Sequence, residues 1–115
     1  MAAETFVVGA LIDLHAGCDG AAVGAAVTTA LCGHYEHEGA CRWPHNNAID
    51  ASRIPARFRT LYVADPAEVE MVERRVRDAL ETGSGWEAVM VERRPVDEAD
   101  GPLAERLLRG PRAPR

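Results

Sequence analysis

The stretch Thr5–Leu14, TFVVGALIDL, is apolar at nearly every position and rich in β-branched residues at its start. A run this short and this continuous predicts a strand buried on both faces, which belongs in the middle of a sheet. Gly9 inside it predicts close approach of a covering element. Immediately downstream comes His15-Ala-Gly-Cys18-Asp19-Gly20. Asp19 is suited to cap a helix, which is expected from about Gly20 to Cys32 with Gly33 as its stop.

That first helix contains AAVGAAVTTAL, with no charged residue. Val23, Val27, Ala30 and Leu31 make a core stripe at helical spacing, but the other side offers Ala, Gly and Thr instead of Glu and Arg. A helix apolar all round calls for cover on its outer side as well. A homodimer through helix one, or cover by the C-terminal tail, is the expectation.

Further along, Cys41 to Ala51 is expected to contain a second strand, placed at a sheet edge because Pro44 cannot donate to a ladder. Arg57–Ala64, RFRTLYVA, predicts a third strand. Phe58, Thr60 and Tyr62 would face one side, with Arg57, Arg59, Leu61 and Val63 on the other. Asp65-Pro66-Ala67-Glu68 combines an N-cap aspartate, proline at the first helical position and a following carboxylate. Helix two follows, with Val69, Val72, Val76, Ala79 and Leu80 inward. Glu68, Glu70, Glu73, Arg74, Arg77, Asp78 and Glu81 fall on the wet side. Trp86–Arg93 reads as a fourth strand. Beyond Pro95 the pattern decays, and Leu103–Arg109 is expected to form one or two helical turns before a disordered end.

The order β-α-β-β-α-β is similar to the split βαβ, or ferredoxin-like, arrangement. It implies an α+β fold with a four-stranded antiparallel sheet and two helices on one face. The likeness is one of element order over residues 4 to 95, and this arrangement hosts many unrelated functions. One domain is expected over residues 1–97, with 98–115 as a tail.

Bulk properties exclude several classes of function. The 115 residues suit one domain, with 47% apolar and 27% charged residues as in ordinary globular proteins. A formal charge of -5 speaks against nucleic acid or an anionic membrane surface as main partner. All 13 basic residues are arginine, so no lysine is present for Schiff-base or general-base chemistry. Phe6–Leu14 is too short to span a membrane and is broken by Asp13. The N-terminus lacks a basic region before it. A cytoplasmic location with reduced thiols follows, since three cysteines cannot close a disulfide framework within one chain.

The candidate chemistry lies in LCGHYEHEGACRWPHNN, Leu31–Asn47. It holds Cys32, His34, His37, Cys41 and His45, while His15 and Cys18 lie just upstream. Thiolate and imidazole are the ligands zinc prefers, and a structural site needs four. A zinc or other transition-metal site at Cys32, His34, His37 and Cys41, with His45 as a further candidate, is the leading expectation. Glu36 and Glu38 would favour a harder metal. The spacing matches no standard finger or ribbon, and the plain alternative is a buried Cys32 with solvated histidines. A helix of about 12 residues spans roughly 18 Å, which separates Cys18 from Cys32. Which group His45 joins depends on strand two. If it joins the first end, His15, Cys18, His45 and Asp50 form a second constellation.

Two other readings compete. Cys18 sits between Gly17 and Gly20 before a helix N-terminus, where the helix field lowers a thiol pKa and His15 could serve as base. That would make a thiol enzyme, although a small buried cysteine beneath a turn is commoner. Gly17, Gly20 and Gly24 open a helix after a strand and could hold an anion or another small molecule in a metal-free binding or regulatory module. They lack the Walker A pattern. Ser52 and Ser84 fit no nucleophile elbow. Trp43 could wall a pocket or fill the core, and Asn46-Asn47, an unusual polar pair for a strand, could turn the chain or orient a ligand.

Overall fold

A computed structural model describes residues 3–32 and 42–110. Strands β1 (Glu4–Leu14), β2 (His45–Asp50), β3 (Ala56–Ala64) and β4 (Trp86–Arg94) form one sheet in the order β2-β3-β1-β4. Every neighbouring pair is antiparallel. Helix α1 (Ala21–Cys32) joins β1 to β2, and α2 (Val69–Thr82) joins β3 to β4. A third helix, α3 (Gly101–Arg109), follows β4.

The continuous apolar run does become a central strand, because β1 is flanked by β3 and β4 and loses water on both faces. Val8, Ala10 and Ile12 join Phe58 and Tyr62 of β3 beneath Val23, Val27 and Leu31 of α1 and Val72, Val76 and Leu80 of α2. Full burial of side chains of this size contributes about 1.5–3 kcal/mol each. Gly9 marks a close approach, as expected: a Cβ there would lie 3.0 Å from Cδ of Arg94, which crosses the strand. The edge placement of β2 also agrees with the expectation, although the strand starts after Pro44. The Pro44 carbonyl accepts from Val63 N–H at 2.9 Å.

Within the segment expected to be a tail, residues 98–110 pack on the sheet. A short 3₁₀ turn at Glu98–Asp100 leads into α3, whose Ala104 packs on Val7 and Leu61. These face away from α1 and α2, so the sheet carries helices on both sides. Arg59 fastens the turn, donating from Nε to Asp100 at 2.9 Å and from Nη1 to the Asn46 carbonyl at 2.8 Å. Helix α3 therefore does not cover α1. The expected disorder of the last residues falls on 111–115, outside the described residues.

Smaller differences have local causes. Asp65 accepts from Ala67 N–H at 2.9 Å, but the capped turn is 3₁₀ over Pro66–Glu68, and α2 starts at Val69. Glu68 and Glu73 are not simply wet. Arg42 pairs with Glu68 at 3.0 Å and Arg93 with Glu73 at 2.7 Å, and both carboxylates are mostly shielded. Trp43 is core, with the guanidiniums of Arg42 and Arg75 at 4.5 and 5.0 Å from its ring centroid.

Candidate functional site: the cleft between α1 and β2

Antiparallel register brings His45, Asn47 and Ile49 to the face of β2 that lies under α1, opposite Tyr62, Thr60 and Phe58 of β3. Helix α1 meets them with its smallest residues. A Cβ on Gly24 would come within 3.3 Å of the Asn47 side chain, and one on Gly20 within 3.3 Å of Ile49. Small residues thus let the helix sit low over the edge strand, and the gap between them is a cleft of about 350 Å³. Gly20 just before the helix, with Gly24 and Thr28 of α1, lines it on one side, and His45, Asn47 and Ile49 line it from the strand.

A chain of neutral hydrogen bonds runs along this cleft. Asn47 Nδ2 donates to the Gly24 carbonyl at 3.0 Å and to Thr28 Oγ1 at 3.1 Å. Thr28 Oγ1 lies 2.9 Å from Nε2 of His45, and Nδ1 of His45 lies 3.1 Å from the Trp43 carbonyl. A carbonyl can only accept, so Nδ1 carries the hydrogen in the neutral ring and Nε2 accepts from the Thr28 hydroxyl. The same logic orients the amide of Asn47. Flipping it would face oxygen against the Gly24 carbonyl. Among the described residues its Oδ1 is then buried without a hydrogen-bond partner, and so is Oγ1 of Thr60, the residue paired with Asn47 across the sheet.

This geometry decides where His45 belongs. Its Nδ1 lies 3.9 Å from Sγ of Cys32, the last residue of α1. His45 therefore stands at the Cys32 end of the sheet, and the constellation of His15, Cys18, His45 and Asp50 does not assemble. Asp50 instead accepts from Ser52 N–H and Oγ–H. Those bonds, chiefly the hydroxyl one, hold its carboxyl below the usual range.

Cysteine chemistry differs from the expectation of reduced thiols. Cys32 is disulfide-bonded, and Cys18 is free. An odd count bars a framework that uses all three cysteines, but not a single bridge. In this state Cys32 offers a metal no thiolate. His34, His37 and Cys41, the other proposed ligands, lie outside the described residues, as do Glu36 and Glu38. Among the described residues, no group of three or more His, Cys, Asp or Glu side chains is placed to hold a metal ion.

At the opposite end, His15 N–H donates to the Gly85 carbonyl, and Cys18 N–H to the His15 carbonyl. The Cys18 thiol turns to the Asp19 carbonyl at 3.6 Å and packs so close to Gly85 that a Cβ there would meet Sγ at 3.0 Å. No hydrogen bond joins it to the His15 ring among the described residues.

Sequence reasoning named His45 but missed Thr28 as its partner. A threonine inside an uncharged helix gives no signal of its own. Asn47 did leave one, as half of a polar pair in a strand. Among the described residues no helix is long and apolar enough to cross a membrane. No protein-family model matches the chain, and no curated protein matches it significantly.

Proposed function

We propose that this chain is a small ligand-binding module on a ferredoxin-like plait, and that the α1–β2 cleft takes a small, uncharged, polar molecule. The strand order β2-β3-β1-β4, with α1 and α2 over one face, supports the plait reading, with α3 as an addition to it. The observation that carries the binding reading is the hydrogen-bonded chain from Asn47 through Thr28 to His45 along a cleft of about 350 Å³. Few, oriented, neutral polar groups in a concave site of this size favour ligands that exchange donors and acceptors without carrying charge. Ligand-observed NMR with acetamide, pyrimidine and nicotinamide as probes tests this. Saturation transfer is expected from at least one and should vanish in Ala25→Phe, which fills the cleft from the helix. Transfer from none of them, or transfer unaffected by Ala25→Phe, would remove the reading.

A second reading is kept alive by one contact. With its disulfide reduced, Cys32 would present a thiol beside His45, whose Nδ1 is 3.9 Å from that sulfur. These two would be the described part of a four-ligand zinc site that draws its remaining ligands from His34, His37 and Cys41. Thiolate and imidazole suit zinc in a structural site. Reduced protein without a histidine tag should then take up one zinc per chain, and Cys32→Ala or His45→Ala should abolish uptake. Substoichiometric uptake by the reduced wild-type chain would count against it.

A further inference from the structure

The face of the sheet away from α1 and α2 carries a smaller hollow. Val8, Ala10 and Ile12 of β1 point towards those helices, so Val7, Gly9 and Leu11 point the other way. Helix α3 covers Val7 through Ala104. Beyond it, Gly9, Leu11, Arg57, Met90, Glu92 and Arg94 line a space of about 140 Å³. Strand register brings them together, with Leu11 set between Arg57 and Met90, and Gly9 opposite Glu92. The hollow exists because Gly9 has no side chain. A Cβ there would meet Cδ of Arg94 at 3.0 Å, its Nε at 3.1 Å and its Cζ at 3.3 Å, so this guanidinium lies against the central strand.

Neighbouring charges are already engaged. Arg59, on the same face, binds Asp100 and the Asn46 carbonyl, while Arg77 and Arg93 bind Glu73. Asp50, opposite Arg57 on β2, bonds Ser52 and Arg53, and Arg57 acts on it only through the longer-range field. Inside the hollow the side chains of Arg57, Arg94 and Glu92 enter no ion pair or hydrogen bond among the described residues. Two guanidiniums and one carboxylate thus stand open beside an apolar floor of Leu11 and Met90, the latter 43% exposed.

We propose that this hollow binds a free α-amino acid with an apolar side chain. Its carboxylate is held by Arg57 and Arg94, whose planar forks suit that group. Its ammonium meets Glu92, and its side chain covers Leu11 and Met90, which removes their apolar surface from water. The charges select this class of ligand over simpler ones. Glu92 repels a phosphate or a second carboxylate brought to the arginines, and the arginines repel a plain amine. A molecule with one charge of each sign satisfies all three groups. The site lies on the opposite face of the sheet from the α1–β2 cleft, so either can fail alone.

Titration of the full chain with L-leucine, followed by amide NMR, tests this. The Gly9, Leu11, Met90 and Glu92 amides should shift to saturation while those of Thr28 and Asn47 stay in place. Isocaproate and isoamylamine, which each keep one of leucine's two charges, should bind about tenfold more weakly. Arg94→Met keeps the stem over Gly9 and should weaken leucine binding by a similar factor. Glu92→Gln should reverse the preference, so that isocaproate binds at least as well as leucine. The dispersion of each variant's spectrum shows whether it has folded. No saturable shift with leucine would overturn the proposal, as would leucine binding that a folded Arg94→Met leaves unchanged. Isocaproate or inorganic phosphate bound by the wild type as tightly as leucine would reduce the hollow to an unselective anion patch. Shifts centred on Thr28 and Asn47 would put the ligand in the other cleft and equally refute it.

Discussion

Each half of this molecule ties an edge strand to a helix, and the two halves do it with opposite chemistry. On the β4 side the ties are ionic. Glu73 of α2 binds Arg93 of β4 at 2.7 Å and its own helix neighbour Arg77 at 3.5 Å, and Arg77 reaches the Val91 carbonyl at 3.0 Å. On the β2 side they are neutral, running from Gly24 and Thr28 of α1 through Asn47 and His45. Long arginine arms at a wet surface tolerate displacement, because water takes over whatever bond is lost. Short neutral groups beneath a helix cannot move without losing a partner that nothing replaces. The β4 side is therefore a fastening, and the β2 side is a shaped surface.

Substitutions on the two sides should differ accordingly. The largest loss is expected for Asn47→Leu, which removes the donors to Gly24 and Thr28 while keeping an apolar side chain of similar bulk. It should cost about 2–3 kcal/mol, read as a lower midpoint in urea at unchanged slope. A loss of only a few tenths would mean that the neutral chain is decoration, and the contrast between the sides would collapse.

Glu73→Gln comes next. It weakens two partly exposed ion pairs and should cost about 0.5–1 kcal/mol. The effect should shrink in 1 M salt, where charges are screened within about 3 Å, whereas that of Asn47→Leu should not. Comparing both variants at low and high salt sharpens the distinction between the two sides.

The smallest effect at neutral pH is expected for Tyr62→Phe. The Tyr62 hydroxyl is buried without a hydrogen-bond partner among the described residues, so its removal should change stability by less than about 1 kcal/mol. At high pH it should matter more. Burial, aided by the nearby Glu73 carboxylate and opposed by Arg93, pushes the phenol from its ordinary 10.0 up to about 12. The unfolded chain then releases this proton before the folded one. Stability is whole below pH 10 and falls as pH rises towards about 12. Tyr62→Phe should flatten that part of the profile, and an unchanged alkaline slope would assign the loss to other groups.

Much of the fold was legible because local pattern and final environment agree. The β1 run is continuous because the strand is buried on both faces, and α2 keeps its apolar stripe because only one side meets the sheet. Helix α3 was half legible. Leu103 and Leu107 announce helical turns, but nothing local says that they dock beside Val7 and Leu61. The candidate site was the least legible part. His45 could be named as a residue type able to bind or accept a proton, but Thr28 and Asn47 acquire their roles only from each other.

By itself, the sequence determined the elements, the central place of β1, the edge position of β2, and the absence of charge along α1. Each of these follows from short-range periodicity and side-chain chemistry. Tertiary structure decided which end of the sheet His45 serves, that residues 98–110 add a layer, and that Cys32 is bridged while Cys18 is free. It also decided that a cleft opens where Gly20, just before α1, and Gly24 of α1 lie over β2. Those outcomes depend on strand register and on contacts between residues at least 13 positions apart. Such contacts exist only after the chain has closed, and no local pattern encodes them.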